Sequence, residues 1–199
     1  LESKYSLPAG MLSALHAIET GNTGKTNQVN QETGATGGFQ FLESTAKQYN
    51  VRNRKDLAQS AEGAAKYMSY LLSLFKGDLE KAVRAYHAGE GNVQKNKNIG
   101  KYNNNYWSKF KGYTAGANGF KGSDIGSKEF EKMLEDATRL YEQQAQSRKA
   151  IDHDVADKIK RINLELQQTK EDTKKANFSP ERKKQNIAEY NNSAATHIA

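Results

Sequence analysis

Three short stretches carry residue types suited to breaking a polar bond. Glu19 follows Leu7, Met11, Leu15 and Ile18, whose four-four-three spacing describes the apolar face of a helix. A carboxyl at the end of such a helix is partly desolvated and stands where the helix macrodipole disfavours an anion. Both effects keep it protonated near neutral pH, the condition for a general acid. An ordinary glutamate at a helix end is the plain alternative. The second stretch, Gly34-Ala35-Thr36-Gly37-Gly38-Phe39-Gln40-Phe41, places three glycines ahead of an aromatic-Gln-aromatic run. It describes a tight loop bringing backbone close to a ligand, with Gln40 offering donor and acceptor to sugar hydroxyls or acetamido groups. A glycine turn entering a buried segment fits the same residues. The third, Ala85-Tyr86-His87-Ala88-Gly89, sets Tyr and His between small residues, free to face a cleft. A core tyrosine beside a surface histidine is its bland reading.

The elements that must position these groups are helices joined by loops. Leu7-Pro8 opens the first, which stops around Thr20-Gly21, and residues 21–38 form a polar, glycine-rich loop. A short helix follows Ser44 (Thr45–Tyr49). Ser60 can cap a longer one, Ala61–Phe75, with Gly77 just past its end, and Asp78 caps the next, Leu79–His87, ended by Gly89. Gly112–Gly126 reads as an irregular connector. Further on, Phe130, Met133, Leu134, Ala137 and Tyr141 line one helical face, and Val155, Ile159, Ile162, Leu166, Thr169 and Thr173 form a heptad-like seam. Ser179-Pro180-Glu181 is a restart signal, with N-cap, proline at N1 and an acid in the first turn. The region after Ser127 is thus expected to hold two long helices and a shorter last one, as a hairpin or an interaction arm. All 16 glycines lie at or before Gly126, so the expected division is a compact, loop-rich domain, 1–126, and a glycine-free helical arm, 127–199.

The order of the three stretches resembles the soluble lytic transglycosylase family, related in fold to goose-type lysozyme. That family shows Glu-Ser, then Gly-x-x-Gly-Leu-Met-Gln-(Phe/Ile/Leu), then Ala-Tyr-Asn-Ala-Gly; here stand Glu19-Thr20, Gly34-x-x-Gly37-Gly38-Phe39-Gln40-Phe41 and Ala85-Tyr86-His87-Ala88-Gly89. Leu7-Pro8-Ala9-Gly10-Met11-Leu12, Ser44-Thr45-Ala46, Gly77-Asp78-Leu79-Glu80-Lys81-Ala82 and Gly89-Glu90-Gly91-Asn92-Val93 are similar to its intervening text, over about residues 1–110. The resemblance implies a mainly α fold, with a lysozyme-like transglycosylase domain followed by the extended helical region. It implies cleavage of the β-1,4 bond between N-acetylmuramic acid and N-acetylglucosamine in peptidoglycan, with a 1,6-anhydromuramoyl end as product. It implies Glu19 as the single acid/base, with Thr20, Phe39, Gln40, Tyr86, His87, Ala88 and Tyr106 as substrate-site residues, and neither cofactor nor metal. Gln40 is expected to contact substrate or position Glu19, and Tyr106 matches the tyrosine of a Glu-Thr-x-x-Tyr motif that orients the catalytic glutamate. The departures are His87 for Asn, Gly38-Phe39 for Leu-Met and Tyr102-Asn103 for Glu-Thr. The matched motifs hold no second acid in a nucleophile's place; Glu32 and Glu43 flank the Gln40 loop and would permit hydrolysis if one stood across the cleft.

Composition narrows the alternatives. The chain has 199 residues, no cysteine and a formal net charge of +7, with 36% hydrophobic residues and a mean hydropathy of −0.91. A disulfide framework, a Cys-ligated zinc and a thiol nucleophile are excluded. His16, His87, His153 and His197 lack ligand spacing; His16, three residues before Glu19, is expected to be packed or solvated. No apolar run approaches the ~18 residues of a membrane span. The chain begins at Leu1 without a basic-plus-apolar leader, as expected of a piece of a longer protein. Residues 1–126 hold 16 Lys/Arg against 10 Asp/Glu, and no acid falls between Glu90 and Asp124. Such a basic rim suits an anionic cell wall in the periplasm or cell wall; single-stranded nucleic acid is the weaker reading of the lysines and aromatics of residues 91–121. The expected partners are peptidoglycan strands and, through 127–199, other subunits of a larger cell-wall-penetrating assembly such as a phage virion or secretion system. A hydrolytic lysozyme on the same fold and a non-catalytic glycan-binding module remain open.

Overall fold

The structure, a computed structural model, describes residues 1–97, 99–176 and 179–198, the side chains of 197 and 198 excepted. Its α-helices are α1 (Met11–Glu19), α2 (Glu43–Gln48), α3 (Leu57–Leu74), α4 (Leu79–Ala88), α5 (Glu90–Gln94), α6 (Lys101–Ala117), α7 (Lys128–Lys175) and α8 (Pro180–Ile198). Among the described residues β pairing is confined to two isolated antiparallel bridges, Val29 with Thr36 and Thr36 with Phe41. No described helix is long and apolar enough to cross a membrane. The chain divides into two compact units, Leu1–Ala145 and Gln146–Ala199.

In the first unit α1 packs chiefly against α6, and α4 against α3, α5 and α6. Met11, Leu15, Met68, Leu71, Leu72, Val83 and Phe110 are fully buried where these helices meet. Helix α1 begins at Met11, later than Leu7-Pro8 suggests, because Gly10 holds a left-handed φ of 81°. A side chain there would meet Ala117 at 2.8 Å. The Glu2 carboxylate accepts from the Gly10 and Leu12 amides, at 2.9 and 2.7 Å, and supplies the cap that Gly10 cannot. Helix α3 starts at Leu57, not Ala61. Asp56 takes the cap by accepting from the Gln59 amide, while Ser60 is buried one turn inside and donates to the Arg54 carbonyl. Asp78 caps α4 as its sequence predicts, accepting from the Lys81 amide.

Helix α6 overruns the connector expected at Gly112–Gly126. Gly112 and Gly116 sit inside it at a helix-propensity cost of about 1 kcal/mol each. Burial of Tyr106, Phe110, Thr114 and Ala115 along one face outweighs that cost. Helix α7 is a single element of 48 residues where the spacing predicts two, since neither glycine nor proline occurs between Ser127 and Ser179 to divide it. Its first turns belong to the core of the first unit: Phe130, Leu134 and Tyr141 are buried, and the Tyr141 hydroxyl donates to the Ser69 carbonyl at 3.1 Å. The composition break at Gly126 and the end of the compact unit at Ala145 therefore do not coincide.

In the second unit Ile159, Ile162, Leu166 and Thr169 are half-buried and Thr173 is buried, whereas Val155, at the start of the expected seam, is exposed. Helix α8 restarts at Pro180 with the Ser179 hydroxyl accepting from the Arg182 amide, and Lys183 reaches back to the Lys174 carbonyl at 2.9 Å.

Cutting after Ala145 should leave a unit that melts cooperatively. Cutting after Gly126 should cost several kcal/mol through lost burial of Phe130, Leu134 and Tyr141. Thermal denaturation of the two fragments checks this; equal midpoints would refute the place of α7 in the core.

Candidate active site

Glu19 is the last residue of α1, and only a minor part of it reaches the surface. It lines a cleft of about 520 Å³ with Phe39, Gln40, Tyr86, His87, Ala88, Tyr67 and Glu90 among the other walls. The Tyr106 hydroxyl, presented from the second turn of α6, donates to Glu19 Oε1 at 2.6 Å. Gln28 fixes the backbone below, its Nε2 donating to the Glu19 carbonyl at 2.7 Å. Burial pushes the Glu19 carboxyl up to about 7, against the opposing pull of the Tyr106 hydrogen bond. The group is thus poised to hold a proton at neutral pH and to release it at modest cost.

The loop over the cleft depends on two glycines. A Cβ at Gly37, where φ is 88°, would lie 1.7 Å from the Arg54 carbonyl oxygen, so backbone packs directly on backbone. Arg54 then clamps the loop, its guanidinium donating to the Gly34 and Phe41 carbonyls at 2.9 Å each. At Gly38 a Cβ would lie 2.8 Å from Nε2 of His16. The His16 ring also packs on Phe39, with centroids 5.4 Å apart, and its Nε2 is buried without a hydrogen-bond partner. His16 therefore fills the space that a side chain at position 38 would take. Gln40 adopts a left-handed φ of 48°, unusual for a residue with a side chain, and its Nε2 donates to the Gly37 carbonyl at 2.8 Å. Tyr86 donates to the Phe39 carbonyl at 3.1 Å and ties α4 to the same loop.

Two departures from the family pattern touch each other. Asn103 is buried, its Oδ1 accepting from Arg84 at 3.0 Å and its Nδ2 donating to the Arg84 carbonyl at 2.9 Å. The same Nδ2 lies 3.1 Å from Nδ1 of His87. With Oδ1 committed to Arg84, Nδ2 is a donor and His87 Nδ1 must accept, so the neutral ring carries its hydrogen on Nε2. The His87 ring stacks on Tyr106 at 4.7 Å, behind the hydroxyl that meets Glu19. Although His87 is exposed, partial desolvation of its ring lowers its pKa and favours this neutral form.

The expected residues come together except for one. Glu19, Phe39, Gln40, Tyr86, His87 and Ala88 line the cleft, and Tyr106 reaches it through Glu19. Thr20 is buried away from it, donating to the His16 carbonyl at 2.7 Å and accepting from the Gly24 amide. Neither Glu32 nor Glu43 is among the lining residues; both are exposed, and Glu43 pairs with Lys47. The acid that sequence reasoning passes over is Glu90, in the variable position of Gly89-Glu90-Gly91, which does line the cleft. Arg54, Asn103 and Gln28 are missed as well, since each acts through a carbonyl or an amide remote in sequence. Among the described residues no group of three or more His, Asp or Glu could hold a metal ion.

The high Glu19 pKa is also a statement about stability. The folded chain holds this proton up to about pH 7 and the unfolded chain releases it near 4.5, so stability falls as pH rises through that window. Glu19→Gln should stabilise the fold by on the order of 2–3 kcal/mol at pH 8 and by little at pH 4. Denaturant melts at the two pH values check this; equal effects would contradict the desolvated carboxyl.

Comparison with known proteins agrees with the geometry. No solved structure matches the chain. The Transglycosylase SLT domain family matches residues 1–106, so the match runs from the approach to α1 to the tyrosine that holds Glu19. That span is over half of the chain, which belongs to the Transglycosylase SLT domain family.

Proposed function

We propose that this protein is a peptidoglycan lytic transglycosylase, cleaving the β-1,4 bond between N-acetylmuramic acid and N-acetylglucosamine without consuming water. The observation that carries the reading is the Glu19 carboxyl in the cleft, pushed up to about 7 by burial and oriented by the buried Tyr106. Protonated Glu19 gives its proton to the glycosidic oxygen as the C1–O bond breaks. The muramoyl C6 oxygen then bonds to C1, and its hydroxyl proton returns to the Glu19 carboxylate. Atoms balance with no added nucleophile, so no second carboxylate is required. Tyr106, which stays protonated because burial raises its pKa, steadies Glu19 in both halves of the cycle. Phe39, Gln40, Tyr86, His87 and Ala88 supply the cleft surface for the sugars, with His87 Nε2–H as a donor.

Hydrolysis is the second reading, because Glu90 is a further carboxylate on the cleft wall. Product mass separates the two: anhydro ends weigh one water less than hydrolysed ends. The cell wall or periplasm is the corresponding site of action. Exposed Ile151, Val155 and Leu164 on α7 support the part of residues 127–199 beyond the first unit, 146–199, as an arm joining other subunits of a larger cell-wall-penetrating assembly.

Purified protein should release anhydro-muropeptides from peptidoglycan, and Glu19→Gln should lower the rate at least about a hundredfold. Hydrated products would favour hydrolysis, and no release by the wild type at any pH would leave a glycan-binding module. The value of kcat/KM should fall as pH rises through about 7, where free Glu19 loses its proton. It should also fall at acid pH, below the ordinary imidazole range, where a proton on His87 Nδ1 displaces the Asn103 bond. A rate that climbs steadily above pH 8 would exclude Glu19 as the acid.

A further inference from the structure

Glu90 opens α5 and faces the same cleft as Glu19, yet the chemistry proposed for that cleft gives it no task. Its Oε2 accepts from the Tyr67 hydroxyl at 3.0 Å. Among the described residues no Lys, Arg or His pairs with it, so Glu90 puts a carboxylate on the cleft wall with no cation beside it. Two tyrosines, Tyr67 and Tyr86, line the cleft with it, and Tyr49 and Tyr70 pack on Tyr67 behind them. The Tyr67 ring lies 5.0 Å from Tyr49, 5.4 Å from Tyr86 and 6.4 Å from Tyr70. Tyr86 ties this cluster to the Phe39 carbonyl at the Glu19 end of the cleft.

A carboxylate set against aromatic faces is the chemistry that recognises an ammonium group: one side supplies a charge-assisted hydrogen bond, the other the negative face of a ring. Neutral sugar hydroxyls do not call for a full negative charge, and the stem-peptide carboxylates of peptidoglycan would be repelled by one. We propose that Glu90 and the Tyr67 cluster bind a primary ammonium group of the polymer. The source is a free side-chain amine of a stem-peptide diamino acid or a de-N-acetylated glucosamine. This rests on peptidoglycan being the substrate, and it makes the cleft selective for strands whose amines are neither cross-linked nor acylated.

Glu90→Gln separates charge from structure, because the amide oxygen can still accept from Tyr67. The test measures kcat/KM for muropeptide release by wild type and Glu90→Gln from intact peptidoglycan with its amines free and with its amines chemically acetylated. Acetylation should slow the wild type about five- to tenfold, the effect of one partly exposed charge pair. Glu90→Gln should be slow on both polymers and indifferent to acetylation. A wild type indifferent to acetylation, or a variant that keeps the full preference, overturns the proposal. A change from hydrated to anhydro products in Glu90→Gln also overturns it, since that would make Glu90 a base acting on water.

A binding arm keeps the test independent of cleavage. Glu19→Gln and Glu19→Gln/Glu90→Gln are co-sedimented with the two insoluble polymers. Preferential retention of the single variant on free-amine polymer supports the ammonium site even if the wild type cleaves nothing, an outcome that would defeat only the transglycosylase reading. Equal retention of both variants on both polymers overturns the site. Strands stripped of stem peptides, with part of their glucosamine deacetylated, identify the source: preference kept there assigns the sugar amine, and preference lost there assigns the stem peptide.

Discussion

The hydrogen bond from Tyr106 to Glu19 spans 87 residues of sequence and joins the end of α1 to α6. For it to form, the packing of those two helices must bring a buried phenol to a desolvated carboxyl, and that packing is the core of the first unit. Gly10 lets the start of α1 pass within reach of Ala117 at the end of α6. Behind the phenol stands the His87 ring, held by Asn103, which is held in turn by Arg84 and so by α4. The acid is therefore set by three helices at once, and its protonation is a property of their meeting rather than of the residue alone. Desolvation raises the carboxyl further than one hydrogen bond lowers it, so the group remains an acid while its direction is fixed.

The loop from Gly34 to Phe41 obeys a different constraint. It has little regular structure, yet its carbonyls are taken one by one: Gly34 and Phe41 by Arg54, Gly37 by Gln40, Phe39 by Tyr86. Those bonds over-determine a backbone that holds Gln40 in a left-handed conformation. Strain of this kind survives only where the surroundings leave the chain no better option, and here the surroundings are α3, α4 and the carbonyl of Arg54 pressed on Gly37.

Much of this was legible in the residues. Apolar spacing located α1, the Asp78 cap and the terminating Gly89 located α4, and the three separated stretches line one cleft. What was not legible depends on tertiary neighbours. Glycines at 112 and 116 read as a connector because their cost is local, whereas the burial that keeps them helical comes from Phe110 and Thr114 against other elements. Two apolar faces read as two helices because no local signal says that one helix can lend its first turns to a core and continue beyond it. Asn103 was invisible as a site residue because its role is to hold His87, sixteen positions earlier. Thr20 was expected at the substrate by analogy of its hydroxyl, but a C-cap threonine has carbonyls of its own helix to satisfy, and it turns to His16.

The contact between His16 and Gly38 bears on how such a sequence can change. With the imidazole in place, a side chain at 38 has no room, and with glycine at 38, removing the imidazole leaves a hole against Phe39. Each single step toward the family's leucine at 38 is worse than either end. The two positions are therefore coupled: a side chain enters at 38 only when the residue at 16 is made smaller or turns away, and a change at either position is felt at the other.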